Sequence, residues 1–175
     1  MPPILGILRE PSLPAAQRII RAPSASEVPY ALITGMEEIS SHSIRSADAD
    51  IFYWSLGNGP AVVLLHPFPA NHEFWLPVAH NLATRYRVIL PDLRGHGESG
   101  VGEGPATMVK HAADLARVIN DAGIDRAPFI GVSIGGYVLM EFWRQHRHRI
   151  TALGLCNTKA SADAAEARSS TSCAD

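Results

Sequence analysis

Ser133 lies in the sequence Gly131-Val132-Ser133-Ile134-Gly135, a G-x-S-x-G pattern between an apolar run (127–132) and a helical pattern (134–146). A serine on a sharp strand-to-helix turn holds its hydroxyl clear of the backbone, and flanking glycines leave the chain room to turn. The chemistry that such a hydroxyl can do is attack on a carbonyl carbon. Two backbone N–H groups are then needed for the oxygen that becomes negative. One is the N–H of Ile134, directly after the serine and at the positive end of the following helix. The alternative is a glycine-rich turn with an incidental serine.

Two further segments could assist. His66-Pro67-Phe68-Pro69 directly follows the apolar run 61–65. Proline has no N–H, so Phe68 is the natural backbone donor in this loop. The alternative is a rigid proline turn that merely closes a strand. Asp92-Leu93-Arg94-Gly95-His96-Gly97-Glu98-Ser99 follows the apolar run 87–90. Its glycines predict a tight turn in which His96 braces the backbone, and Asp92 and Arg94 are expected to pair. Phe68, His72, Phe74 and Trp75 are candidate pocket residues, with core packing as the alternative. After Ser133 the histidines are His146 and His148, at the far end of the elbow helix; Asp163 and Asp175 come later still. No Ser–acid–His relay is expected from these positions.

The elements that must carry these residues are legible as periodicities. Strands are predicted at 39–45, 51–56, 61–65, 87–90, 127–132 and 150–156, the first two as an antiparallel hairpin around 47–50. Amphipathic segments are predicted at 74–83, at 107–122 with Thr107 as N-cap, and at 134–146. Alternation of strand and helix predicts an α/β fold with a mostly parallel sheet and helices on both faces, in which 150–156 is the sixth strand. Residues 1–38 hold six prolines and are expected to be a disordered or non-native leader, with Met36 as an alternative start. Residues 39–160 form the expected core, and 161–175 are small and polar. With nothing beyond it, the strand 150–156 would be an aggregation-prone sheet edge.

Composition narrows the class. Formal charge is −2 and no basic cluster marks a nucleic-acid footprint. No apolar stretch is long enough to cross a membrane. No basic region precedes 4–8, so no secretory signal is expected and the expected location is cytoplasmic. Two cysteines cannot form a disulfide framework; Cys156, in an apolar run, is expected to be a buried free thiol.

The three motifs, in this order, resemble the α/β-hydrolase family over residues 39–168. The segment at His66 resembles its oxyanion loop, Asp92 to Ser99 its D-x-R-G-x-G-x-S turn, and Gly131 to Gly136 its nucleophile elbow. The enol-lactonase-like and esterase-like branch is the most similar, through S-x-G-G and the segment 157–163. The resemblance implies Ser133 as nucleophile, with Phe68 and Ile134 as backbone oxyanion donors. It implies hydrolysis of a small carboxylic ester or lactone through an acyl-enzyme, with no metal or organic cofactor. Pro67 departs from the usual glycine, but the donor one residue later survives. Serine at 133 argues against the branches that attack through a carboxylate. The family order places an acid and a histidine after a lid, and the chain stops where that lid would begin, so the chain alone is expected to be inactive. The alternatives are a non-catalytic binding or interaction fragment, and a cofactor-free peroxidase of the same fold.

Overall fold

The computed structural model describes residues 38–159. The expected leader, up to residue 37, and the tail from 160 lie outside the described residues. Six strands form one sheet: β1 (Ser40–Ser46), β2 (Ala49–Leu56), β3 (Ala61–Leu65), β4 (Arg87–Pro91), β5 (Ala127–Val132) and β6 (Ile150–Cys156). Their order across the sheet is β1-β2-β4-β3-β5-β6. β1 and β2 pair antiparallel through a two-residue turn at Ala47 and Asp48. β2 also runs antiparallel to β4, whereas β4, β3, β5 and β6 are mutually parallel.

The continuous apolar runs of the inner strands reflect burial on both faces. Val63, Leu65, Ile89 and Phe129 point into one core with α2 (Met108–Asp121) and α3 (Ile134–His146). Val62, Leu64, Val88 and Leu90 point into a second core with Trp54, Trp75 and α1 (Leu76–Ala83). The helices thus cover both faces, as the alternating sequence predicts.

The helix boundaries have local causes. The Thr107 side chain accepts from the Lys110 N–H (3.3 Å) and starts α2, and Gly123 (φ 67°) follows its end. The stretch expected as one amphipathic segment from 74 is two pieces. A short 3-10 turn (His72–Trp75), capped by the Asn71 side chain, precedes α1, which has Pro77 in its first turn. Proline fits there because that position needs no N–H donor.

Cys156 departs from expectation: it is exposed. Among the described residues β6 pairs only with β5, and Leu153 and Leu155 are 37% and 39% exposed. A strand with one neighbour leaves a row of backbone groups unpaired. No described helix is long and apolar enough to cross a membrane.

Candidate active site

β3 and β5 are neighbours, with Leu65 opposite Gly131. The chain leaves both strands at the same level, and adjacent strands lie about 4.8 Å apart. The loop from His66 and the turn at Ser133 therefore emerge side by side. Their contact explains two glycines. A Cβ on Gly135 would lie 2.6 Å from the Leu65 carbonyl oxygen, and one on Gly131 would lie 2.5 Å from the Gly135 carbonyl carbon. Neither position has room for a methyl group.

Ser133 has φ 52° and ψ −116°, a conformation that L-residues rarely adopt. It persists because its backbone is tied on both sides. The Ser133 N–H donates to the Cys156 carbonyl (2.9 Å). Its own carbonyl accepts from Gly136 N–H (2.9 Å), Tyr137 N–H (3.2 Å) and the Thr158 hydroxyl (3.2 Å). The end of β6 and the residues after it thus brace the turn, a role for Thr158 that no sequence spacing announced. α3 starts at Ile134, so that N–H belongs to the first turn, where no intrahelical acceptor exists. Among the described residues the Ser133 hydroxyl makes no hydrogen bond.

The loop at 66–72 is tied at both ends to the neighbouring 92–99 turn. At its start, the Leu93 N–H donates to His66 Nε2 (2.9 Å), and His66 Nδ1 donates to the Pro67 carbonyl (3.0 Å). A backbone N–H can only donate, so this geometry requires a neutral His66 with its proton on Nδ1. Burial pushes the His66 pKa down, in the same sense. At the loop's other end, Asp92 Oδ1 accepts from both the His72 N–H (2.7 Å) and His72 Nδ1 (3.0 Å). Asp92 Oδ2 accepts from the Glu98 N–H (2.9 Å). Between these ties, the Ala70 N–H donates to the Pro67 carbonyl (2.9 Å) and turns the chain at Phe68, whose side chain is 68% exposed.

The expected pairing of Asp92 with Arg94 does not occur. Arg94 turns to the opposite side, where it forms a two-pronged pair with Asp114 on α2 (2.9 and 2.8 Å) and bonds Asp48 (2.6 Å). Asp92 is fully taken up by the 66–72 loop and by Glu98. In a continuing strand residues 92 and 94 would share a face, but β4 ends at Pro91 and the chain turns at 94–95, so the two side chains serve different partners despite their spacing. His96 braces its own turn as expected: Nδ1 donates to the Arg94 carbonyl (3.1 Å). Its ring lies 5.2 Å from that of His66 and edge-on to Phe68 at 5.6 Å.

Of the candidate pocket residues, Phe68 and Phe74 are open to solvent. His72 and Trp75 are buried, His72 stacked on Trp54 with ring centroids 3.4 Å apart. His146 ends α3, about 20 Å from Ser133 at about 1.5 Å per helical residue, and His148 lies in the 3-10 turn that follows (Arg147–Arg149). Asp163 and Asp175 lie outside the described residues. Among the described residues, no group of three or more metal-ligating side chains is placed to hold an ion.

Comparison with known proteins agrees with this geometry. A family model described as the alpha/beta hydrolase fold matches residues 60–170. A protein of Azorhizobium caulinodans with a provisional carbamate hydrolase name is 37% identical over 119 residues, covering 68% of this chain and 45% of that protein. Epoxide hydrolase 2 of Siraitia grosvenorii is 32% identical over 124 residues, covering 67% and 38%. Among solved structures, a thermophilic esterase from Thermogutta terrifontis, with malate bound, is 37% identical with a TM-score of 0.70, covering 75% of this chain and 50% of the other. The chain thus spans half or less of the length of these proteins.

Proposed function

We propose, from the premise that this chain belongs to the alpha/beta hydrolase fold family, that it carries the nucleophile half of a serine hydrolase for carboxylic esters or lactones. The observation that carries this reading is the strained backbone of Ser133 at the junction of β5 and α3. Strain of this kind costs on the order of 1–3 kcal/mol and persists only where surroundings enforce it. The presence of a thermophilic esterase among the similar structures supports the ester class.

In this mechanism the Ser133 Oγ forms a bond to the substrate carbonyl carbon. The carbonyl π pair moves to oxygen, and the resulting oxyanion accepts hydrogen bonds from the Phe68 and Ile134 N–H groups. The serine proton passes to a histidine that the described residues do not place beside Ser133, and from it to the departing alkoxide. Water then cleaves the acyl-serine by the same route in reverse. For a lactone, the departing alkoxide remains attached to the acyl group.

A fluorophosphonate probe tests the nucleophile directly. An adduct seen by intact-mass analysis and absent from Ser133→Ala would support a nucleophile that keeps residual activation in this chain. An adduct retained in that variant overturns the assignment. The absence of any adduct favours a second reading, a non-catalytic fragment with an unactivated serine, which the lack of a hydrogen-bond partner for the Ser133 hydroxyl among the described residues supports.

A further inference from the structure

The tie between His66 and Leu93 has a property that the other ties in this region lack: it depends on one proton. Leu93 N–H donates to His66 Nε2 at 2.9 Å, and His66 is fully buried. Asp92, which holds the other end of the loop, accepts three donors through its two carboxylate oxygens. A proton on His66 Nε2 would instead set an N–H against the Leu93 N–H. Two donors then face each other in a buried space, and the bond is replaced by repulsion.

We propose that His66 is a positioning residue whose neutral, Nδ1-protonated ring latches the 66–72 loop to the 92–99 turn, and that proton uptake at Nε2 releases the latch. The amide carried by the released loop is that of Phe68, two residues on. The inference deepens the reading of Phe68 as an oxyanion donor, but the latch itself can be read without turnover.

The surroundings favour the latched form at neutral pH. The titratable groups that face His66 are His96 and Asp92 from the 92–99 turn, and His72 from its own loop. His111 on α2, also buried, adds like-charge repulsion. The first turn of α3 packs against the His66 carbonyl through Gly135 and has no ionisable side chain before Tyr137. Burial, and then the neighbouring histidines, oppose a positive charge on the His66 ring. Asp92 pulls the other way, but its oxygens are already occupied. The latch therefore opens only below the ordinary histidine range.

Two-bond imidazole nitrogen spectra of the histidine-labelled full chain, combined with amide hydrogen exchange, test the proposal. At neutral pH, His66 Nε2 is expected to appear as an unprotonated nitrogen and Nδ1 as protonated. On acidification, the Leu93 amide is expected to lose protection roughly fivefold or more, with the midpoint at which Nε2 gains its proton. His66→Gln offers an acceptor that cannot be protonated, so that variant should keep Leu93 protected through the same pH range. Nε2 protonated at neutral pH would overturn the latch. So would loss of Leu93 protection at the same pH in wild type and His66→Gln, or protection indifferent to His66 titration. If His66→Gln does not fold, the wild-type comparison of the Leu93 and Nε2 midpoints still decides. None of these readouts depends on whether Ser133 reacts, so failure of the latch and failure of the nucleophile assignment are separable.

Discussion

Arg94 is the residue on which most of the polar interior converges. Its guanidinium donates to Asp114, Asp48 and the carbonyls of Val101 and Ser46, and is itself only 2% exposed. Asp114 also accepts from the Ser46 hydroxyl. This node joins the β1–β2 turn, α2 and the 92–99 turn, and so fixes the platform on which the 66–72 loop is latched. Removing one member of a buried pair leaves the other unpaired, which costs more than the pair is worth. Asp114→Ala is expected to destabilise by about 3 kcal/mol, read as a lower urea midpoint with an unchanged slope. A shift below about 0.5 kcal/mol, the size of an ordinary surface change, would show that Asp48 alone satisfies Arg94.

At the scale of elements, the starts and stops are set by single residues. Thr107 caps α2 through the Lys110 N–H, and Thr107→Ala is expected to cost about 1 kcal/mol, measurable in the same urea titration. Thr107→Ser should restore most of it. These features were legible in the sequence because they are local: a cap, a glycine stop, a run of apolar residues. The elbow was legible for the same reason, since its glycines and serine are contiguous. The partners of Asp92 and Arg94 were not. Both lie in one turn, but one reaches His72, twenty positions back, and the other reaches Asp114, twenty positions on. Nothing in spacing says which way a side chain in an irregular segment points. The bracing of Ser133 by Thr158 was hidden likewise, because it depends on β6 lying beside β5.

At the scale of the whole molecule, buried histidines set a pH dependence. Burial lowers the pKa of His66 and of His111 below the ordinary value near 6.5. Below about pH 6.5 the unfolded chain binds more protons than the folded one, so stability falls as pH drops through that window and is level above it. Urea midpoints at pH 5, 6, 7 and 8 check this; a midpoint that rises on acidification would contradict it. The sheet makes a second molecular-scale prediction. β6 presents a backbone edge and the half-exposed Leu153 and Leu155 among the described residues. Such edges recruit other chains, and a charge on them discourages it. Leu153→Lys is expected to raise the monomeric fraction in size-exclusion chromatography at fixed concentration.

Cys156 offers a use that its exposure creates. Its carbonyl receives the Ser133 N–H, while its thiol is open to solvent. A maleimide fluorophore attached there, with Cys173 replaced by serine, would sit one peptide group from the strained turn. The native sequence thus supplies its own handle for an optical reporter, and acylation at the serine or slackening of the bend could be followed as a change in emission.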